Sequence, residues 1–358
     1  MEDTNMSIRI VIRSNASARI GTGHVKRCLA LATMISEKVI SDILFICNRD
    51  IPQVLLEDIM GKGFLVKLLP EADQPQVDAE HDARETIFAL NGRCDLLIVD
   101  HYGLDIRWER KLRPYTQQIL VVDDLANRCH DCDILLDQNL YFNLKHRYDD
   151  LVPHQTQKFL GPEYALLQSD FFEYRERTLI RKQCHRVIVN FGGSDPTNEL
   201  AKMLPVVLSG VGKRLEFVIV AGPANPLKKH LGEMFSKIPQ VQFYEEHNMA
   251  ELLAWADLAI GAGGISMWER CFMGVPAMVT SVADNQKETI AEAEKRGIVW
   301  NIGSSGNIDE KQIISILEKI LDNPKLLEEK SRAGLALMEE TRSRGRHPIL
   351  SIFEGGSN

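Results

Sequence analysis

The sequence predicts an α/β protein built from two Rossmann-like parallel-sheet domains that face each other across a cleft. Three observations carry this. Short apolar runs alternate with amphipathic stretches from end to end, the alternation occurs twice, and glycine-containing turns follow several of the runs. Strands that alternate with helices make parallel βαβ units, whose crossovers cover both faces of the sheet.

In the first half the expected strands are IRIVIR (8–13), DILFIC (42–47), FLVKLL (64–69), DLLIVD (95–100), QILVVDD (118–124) and DILLDQ (133–138). Val25, Cys28, Leu29, Ala32 and Ile35 recur at helical spacing after the first of these. The second half repeats the pattern with RVIVNFGG (186–193), EFVIVAG (216–222), VQFYEE (241–246), DLAIGAGG (257–264), PAMVTSV (276–282) and IVWNIG (298–303). Between them, 166–184 has a weaker pattern and several charges, and is expected to be a helix or hinge. The expected division is therefore 1–165, a linker at 166–184, a second domain at 185–340, and a tail at 341–358 that crosses back to the first domain.

A chain of 358 residues suits two domains of ordinary size, and 44% hydrophobic with 26% charged residues suits a globular fold. The net charge of −8 argues against a nucleic-acid partner. The start, MEDTNMSIRIVIRS, lacks the basic and then apolar stretches of a signal peptide. No apolar run approaches the roughly 18 residues of a membrane span, so no membrane association is expected. Seven cysteines without regular spacing fit free thiols in the cytoplasm. A monomer is expected because no long apolar edge stands out.

In open parallel sheets, ligands lie beyond the carboxyl ends of the strands, and polar residues cluster there. Gly21-Thr22-Gly23-His24 opens a helix after the first strand. Glycines permit close approach of an anionic ligand. The positive end of the helix dipole disfavours imidazolium, which suits a histidine that accepts a proton near pH 7. Asp100-His101-Tyr102 ends a strongly apolar strand and projects toward the same end, while Asp123 and Asp124 are either hinge or site. Cys129-His130-Asp131-Cys132 looks like half a zinc site, but no second CxxC exists to complete four ligands. In the second half, Gly192-Gly193-Ser194 precedes the expected helix NELAKMLPVVL and forms an amide cradle for an oxyanion. Gly263-Gly264-Ile265-Ser266 opens another helix, and Glu269 one turn in can accept hydrogen bonds from both ribose hydroxyls of a nucleotide. Asn285 and Gln286 offer amide donors and acceptors suited to sugar hydroxyls or acetamido groups.

The stretches RSNASARIGTGHVKRCLALA, LLIVDHYGLD, HDCDILLDQN, LGPEYALL, NFGGSD, GAGGISMWERCFMGVPA and ADNQ carry a resemblance. They resemble the GT-B class of sugar-nucleotide enzymes, which includes the N-acetylglucosaminyl transferases of peptidoglycan synthesis. They are most similar to the UDP-2,4-diacetamido-2,4,6-trideoxy-β-L-altropyranose hydrolases of pseudaminic acid biosynthesis. The resemblance runs from residue 13 to residue 286 and places no motif from about 304 onward. It implies that His24 is a general base for water attacking C1 with inversion. It also implies that the diphosphate is held by the 261–266 amides without a metal or cofactor, and that Tyr102 and Asp100 orient sugar or water. The HDCD run becomes a structural element of that family. The apolar Ile265 and Met267 depart from what a phosphate loop needs. Two other readings stay open: a GT-B glycosyltransferase with the same UDP site and histidine, and a non-catalytic nucleotide-sugar binder. A dehydrogenase is disfavoured because neither glycine loop reads GxGxxG with an acid about 20 residues on.

Overall fold

A computed structural model describes residues 7–17, 20–70, 74, 76–176, 178–343 and 347–353. Ala18 and Arg19 of the first glycine motif, and parts of the 341–358 tail, lie outside the described residues. The chain divides into two compact units: residues 1–139, 143–166 and 346–358, and residues 140–142 and 167–345.

The first unit runs β1 (Ile8–Ser14), α1 (Gly23–Lys38), β2 (Ser41–Asn48), α2 (Gln53–Gly61), β3 (Leu65–Leu69), α3 (Ala79–Leu90), β4 (Cys94–Asp100), α4 (Ile106–Leu112), β5 (Thr116–Val122), β6 (Ile134–Asp137) and β7 (Gln157–Leu160). Its sheet has seven strands in the order β3-β2-β1-β4-β5-β6-β7, all pairs parallel. Period-two alternation on a strand buried on both faces makes two cores. Ile10 and Ile12 of β1 pack with Val25, Leu29 and Ala32 of α1 on one face. Val11 packs on the other face with Leu97, Val99 and Trp108. Ile349 and Leu350, on a 3₁₀ turn at Pro348–Phe353, join the α1 core.

The second unit runs α5 (Ser169–Arg175), β8 (Arg186–Asn190), α6 (Leu204–Leu208), β9 (Glu216–Val220), α7 (Lys228–Phe235), β10 (Val241–Tyr244), α8 (Met249–Trp255), β11 (Leu258–Ala262), α9 (Ile265–Phe272), β12 (Ala277–Ser281), α10 (Lys287–Lys295), β13 (Val299–Ser304), α11 (Glu310–Asp322), α12 (Lys325–Leu337) and α13 (Glu339–Ser343). Its six-stranded parallel sheet has the order β10-β9-β8-β11-β12-β13. Both sheets thus reverse strand order once, at β1/β4 and at β8/β11. These are the switch points where open α/β sheets hold ligands.

Every expected strand is present. β7 went unanticipated because QKFL is four residues long and exposes Gln157 and Lys158 at the sheet edge, so it has no apolar run. The helix expected directly after Gly192-Gly193-Ser194 is a second difference. Asp195 and Asn198 adopt positive φ, and Asp195 accepts hydrogen bonds from the Glu199 N–H at 2.8 Å and the Leu200 N–H at 3.1 Å. That bracing holds an irregular loop, and regular helix begins only at Leu204 after a 3₁₀ turn at Ala201–Met203. Gly192–Ser194 therefore lies on a loop and not at a helix start. Among the described residues, no helix is long and apolar enough to cross a membrane.

Gly261 shows how tightly β11 lies against β8. A Cβ there would overlap the Asn190 carbonyl oxygen and come within 2.7 Å of Arg270 Nη1. Gly261→Ala is expected to cost about 3 kcal/mol or more in urea unfolding, at the upper end of overpacking. Gly23→Ala, whose Cβ would meet nothing within 4 Å, is expected to leave stability unchanged or slightly raised.

Candidate functional site

In the first unit the loop from β1 to α1 closes on itself, with the Gly21 N–H donating to the Ser17 carbonyl at 2.9 Å. Helix α1 then starts at Gly23, with no acidic residue in its first turn. His24 is buried. Its Nδ1 lies 3.7 Å from an Asp100 oxygen, and its ring meets the Tyr102 ring edge-on at 4.4 Å between centroids. Asp100 is the last residue of β4, beside β1, so the switch point itself brings the pair together.

Arg27 organises this cluster. One turn after His24, it donates to both Asp100 oxygens at 2.6 Å each and to Asp124 at 2.8 Å. The Tyr102 hydroxyl donates to the other Asp124 oxygen at 2.5 Å. Asn139 Nδ2 bridges Asp124 at 2.7 Å and Asp137 at 3.0 Å, and Arg147 pairs with Asp137. Burial disfavours the Arg27 cation, yet Asp100 and Asp124 outweigh it and its pKa is raised. Burial likewise pushes Asp124 up, and Arg27 overrides it, holding this carboxyl below its usual range. Burial and then Asp124 push Tyr102 well up, so it stays a phenol and a donor. His101 is driven down to about 3 by burial and then by Arg13, and is a neutral imidazole.

The structure thus brings His24, Asp100 and Tyr102 together, with Gly21 and Gly23 flanking them. The two aspartates left open separate. Asp124 joins the cluster, whereas Asp123 braces its own loop through Arg128 at 2.9 Å and the Ala126 N–H at 2.8 Å. In the sequence Lys26 and Arg27 stand only as part of the stretch RSNASARIGTGHVKRCLALA. The available signal was the i, i+3 spacing of His24 and Arg27, which puts both on one helix face. His130 lies apart from this cluster, with its Nδ1 paired to buried Glu109 at 2.6 Å at the opposite, amino end of β6. Among the described residues, no group of three or more His, Cys, Asp or Glu side chains is placed to hold a metal.

In the second unit the β11–α9 turn is built on Arg270. This buried cation donates to the Ser266 carbonyl at 2.8 Å, to Ser266 Oγ at 3.2 Å and to the Ala262 carbonyl. Burial pulls it down to about 10, and no carboxylate pairs with it among the described residues. Gly264 precedes α9 at φ 79°, a conformation only glycine adopts cheaply. The Gly263 N–H is taken by the Thr280 carbonyl at 3.0 Å. The N–H groups of Gly264, Ile265 and Ser266 then open the helix without a backbone acceptor among the described residues. Glu269, Ser266, Arg270 and Asn190 line one narrow recess. Gln286 Oε1 accepts from the Val282 N–H at 3.0 Å and packs against Gly263, which turns its amide nitrogen toward Gly264. Asn285 sits half-buried beside it, on a 3₁₀ turn at Asp284–Gln286. Gly192, Gly193 and Ser194 lie beyond β8, across the second switch point.

Residues 187–343 match the glycosyltransferase family 28 C-terminal domain. The chain is similar over 97% of its length to the glycotransferase of kitacinnamycin, with a TM-score of 0.66 at 14% identity and 98% of that chain covered. It is likewise similar to Acinetobacter baumannii MurG, with a TM-score of 0.61 at 11% identity, covering 98% of this chain and 100% of that one. The chain has the GT-B fold. Among curated proteins, it is 27% identical to the spore coat polysaccharide biosynthesis protein SpsG of Bacillus subtilis, over 89% of this chain and 91% of that one. It is 26% identical to the UDP-2,4-diacetamido-2,4,6-trideoxy-β-L-altropyranose hydrolase of Campylobacter jejuni, over 81% of this chain and 97% of that one. An uncharacterised protein of Methanocaldococcus jannaschii is 27% identical over 78% of this chain, which spans 57% of that protein's length.

Removing the Arg27 cation strips buried Asp100 and Asp124 of the charge that both share. Arg27→Met is expected to cost about 3–5 kcal/mol. The sign of its pH dependence follows from the carboxylates. In the native chain Asp124 lies below its unfolded value, so its stabilisation is present above about pH 4 and lost only below it. Without Arg27 the largest factor holding Asp124 down is gone, so this buried carboxyl shifts upward and costs less on acidification. Buried Asp137, raised to about 7, favours folding on acidification in both chains. Thermal melts at pH 7.5 and pH 5 should therefore show the stability difference between variant and native chain narrowing at pH 5; an unchanged difference would contradict this.

Proposed function

We propose that this protein hydrolyses UDP-2,4-diacetamido-2,4,6-trideoxy-β-L-altropyranose, or a closely related diacetamido sugar nucleotide, to the free sugar and UDP. The observation that carries the reading is the histidine at the first switch point, set beside Asp100 and edge-on to Tyr102. Water attacks C1 and the C1–O bond to the diphosphate breaks. The bonding pair leaves with UDP, and His24 takes the proton from the attacking water. The configuration at C1 is inverted. A positioned general base typically contributes about 10²–10⁴-fold.

The second unit supplies the nucleotide site in this reading. The N–H groups at the start of α9 take the diphosphate, with Gly263, Gly264, Ile265 and Ser266 forming the turn and Gly192, Gly193 and Ser194 contributing from the loop after β8. Glu269 accepts from the ribose hydroxyls, and Asn285 with the Gln286 amide nitrogen faces the sugar. Asp100 and Tyr102 orient the histidine, the water and the sugar. The name and near-complete coverage of the Campylobacter relative support hydrolysis. The match to a glycosyltransferase family supports a second reading, in which a hydroxyl acceptor replaces water.

His24→Ala is the test. With the substrate and no acceptor, UDP release should fall at least ~100-fold, while UDP affinity by calorimetry stays within a few-fold. Equal loss of both would make His24 a binding residue and contradict the mechanism. Native protein that releases UDP only when an acceptor is added would favour the glycosyltransferase.

A further inference from the structure

A cavity of about 190 Å³ lies in the first unit beyond the carboxyl ends of β2 and β3, beside the start of α3. No residue of the His24 cluster or of the β11–α9 turn lines it. Asn48, the last residue of β2, forms one side. Leu69 and Val77 give the wall an apolar part, and Asp82 and Glu85 of α3 give it an acidic one.

What lies behind Asn48 decides what it presents. Arg13 is wholly buried, and its guanidinium donates to Asn48 Oδ1 at 2.6 Å, to Asn15 Oδ1 at 3.0 Å and to Asp82 at 2.6 and 3.2 Å. Asp82 is held in addition by Trp108 Nε1 at 2.8 Å and Thr86 Oγ1 at 3.2 Å. The cation thus consumes the Asn48 oxygen and fixes which way the amide points. The amide nitrogen is left as the cavity-facing end. Asn48 is 8% exposed, and its Nδ2 has no protein partner among the described residues. This nitrogen is not one of the buried unpartnered polar atoms, so it is open to the cavity and available as a donor. A guest that brings an acceptor gains a hydrogen bond there.

The charge around the cavity selects the guest. Asp78 and Glu85 join Asp82 in the wall, and Arg13 is sealed behind Asn48 with its charge spent on Asp82. A phosphate or carboxylate would meet net negative charge. An uncharged group with a carbonyl or hydroxyl oxygen for Asn48, hydrogen-bond donors for the carboxylates and a methyl for Leu69 and Val77 fits instead. The same Arg13 holds Asn15, whose Nδ2 lies 3.3 Å from His101, the neighbour of Asp100. The cavity and the His24 cluster therefore share one braced end of the sheet.

We propose that this cavity binds the uncharged, acyl-amino-bearing sugar part of the substrate, with Asn48 donating to its oxygen, as a specificity-determining subsite. The proposal rests on the sugar-nucleotide reading above. Asn48→Asp keeps the shape and the bond to Arg13 but replaces the donor with an acceptor. Asn48→Ala removes both, and thermal melts check that each variant folds.

The measurement is calorimetric affinity for UDP and for UDP-2,4-diacetamido-2,4,6-trideoxy-β-L-altropyranose in a His24→Ala background, with and without each Asn48 substitution. The expected result is about tenfold weaker binding of the sugar nucleotide with either substitution and UDP affinity unchanged within twofold. Unchanged sugar-nucleotide affinity in folded variants, or an equal loss of UDP affinity, would overturn the subsite. The hydrolase reading fails separately, if chain with His24 intact binds this sugar nucleotide without turning it over. The binding comparison still decides the subsite in that case.

Discussion

The buried guanidinium of Arg27 is the constraint on which the first unit's chemistry depends. Asp100 ends β4 and Asp124 lies two residues past the end of the neighbouring β5, so the sheet brings their side chains toward the same place. Two carboxylates removed from water at that spacing repel each other and lose their hydration, a cost of several kcal/mol per ion unless opposed. Arg27 reaches both from one helix turn beyond His24. It fixes Asp100 beside His24 and frees one Asp124 oxygen to orient Tyr102. The imidazole, the phenol and the carboxylate thereby form one braced unit, and none rests on the flexibility of a surface side chain.

The second unit meets the same topological situation with a different solution. There too an arginine sits within the first turns of the helix that follows the switch-point strand, and there too it is buried. Arg270 has no carboxylate partner among the described residues and spends its donors on the Ala262 and Ser266 carbonyls. Drawing those carbonyls inward leaves the N–H groups at the head of α9 as the exposed polarity of the turn. Arg27 thus neutralises acids so that side chains can be placed. Arg270 orients backbone, which in the proposed reading receives an anion. In the proposed reading the first arrangement places a base and the second a diphosphate site.

Much of this was legible in the sequence, for identifiable reasons. Strands buried on both faces are apolar throughout, so runs such as LLIVD stood out, and polar residues at their ends, His24 after β1 and Asp100 and Tyr102 after β4, marked the switch point. The exposed edge strand β7 had no such run. The start of α6 was misjudged because the Asp195 carboxylate, four residues from the Glu199 N–H it accepts, braces a loop that looks helical by composition. For Arg27 the spacing from His24 was the one signal, and a weak one: its partners lie 73 and 97 residues away, and a helical arginine next to a lysine looks like a solvated face until the sheet is assembled. Asn48 is the same case, since the direction of its amide depends on an arginine 35 residues earlier in the neighbouring strand.

The central claim is that the histidine braced by this cluster directs water to the anomeric carbon. Phosphorus and proton NMR of UDP-2,4-diacetamido-2,4,6-trideoxy-β-L-altropyranose turned over in ¹⁸O-labelled water, without acceptor, tests it most directly. Label on the sugar with unlabelled UDP is the predicted result. Label on UDP would mean attack at phosphorus, and would contradict the role assigned to His24.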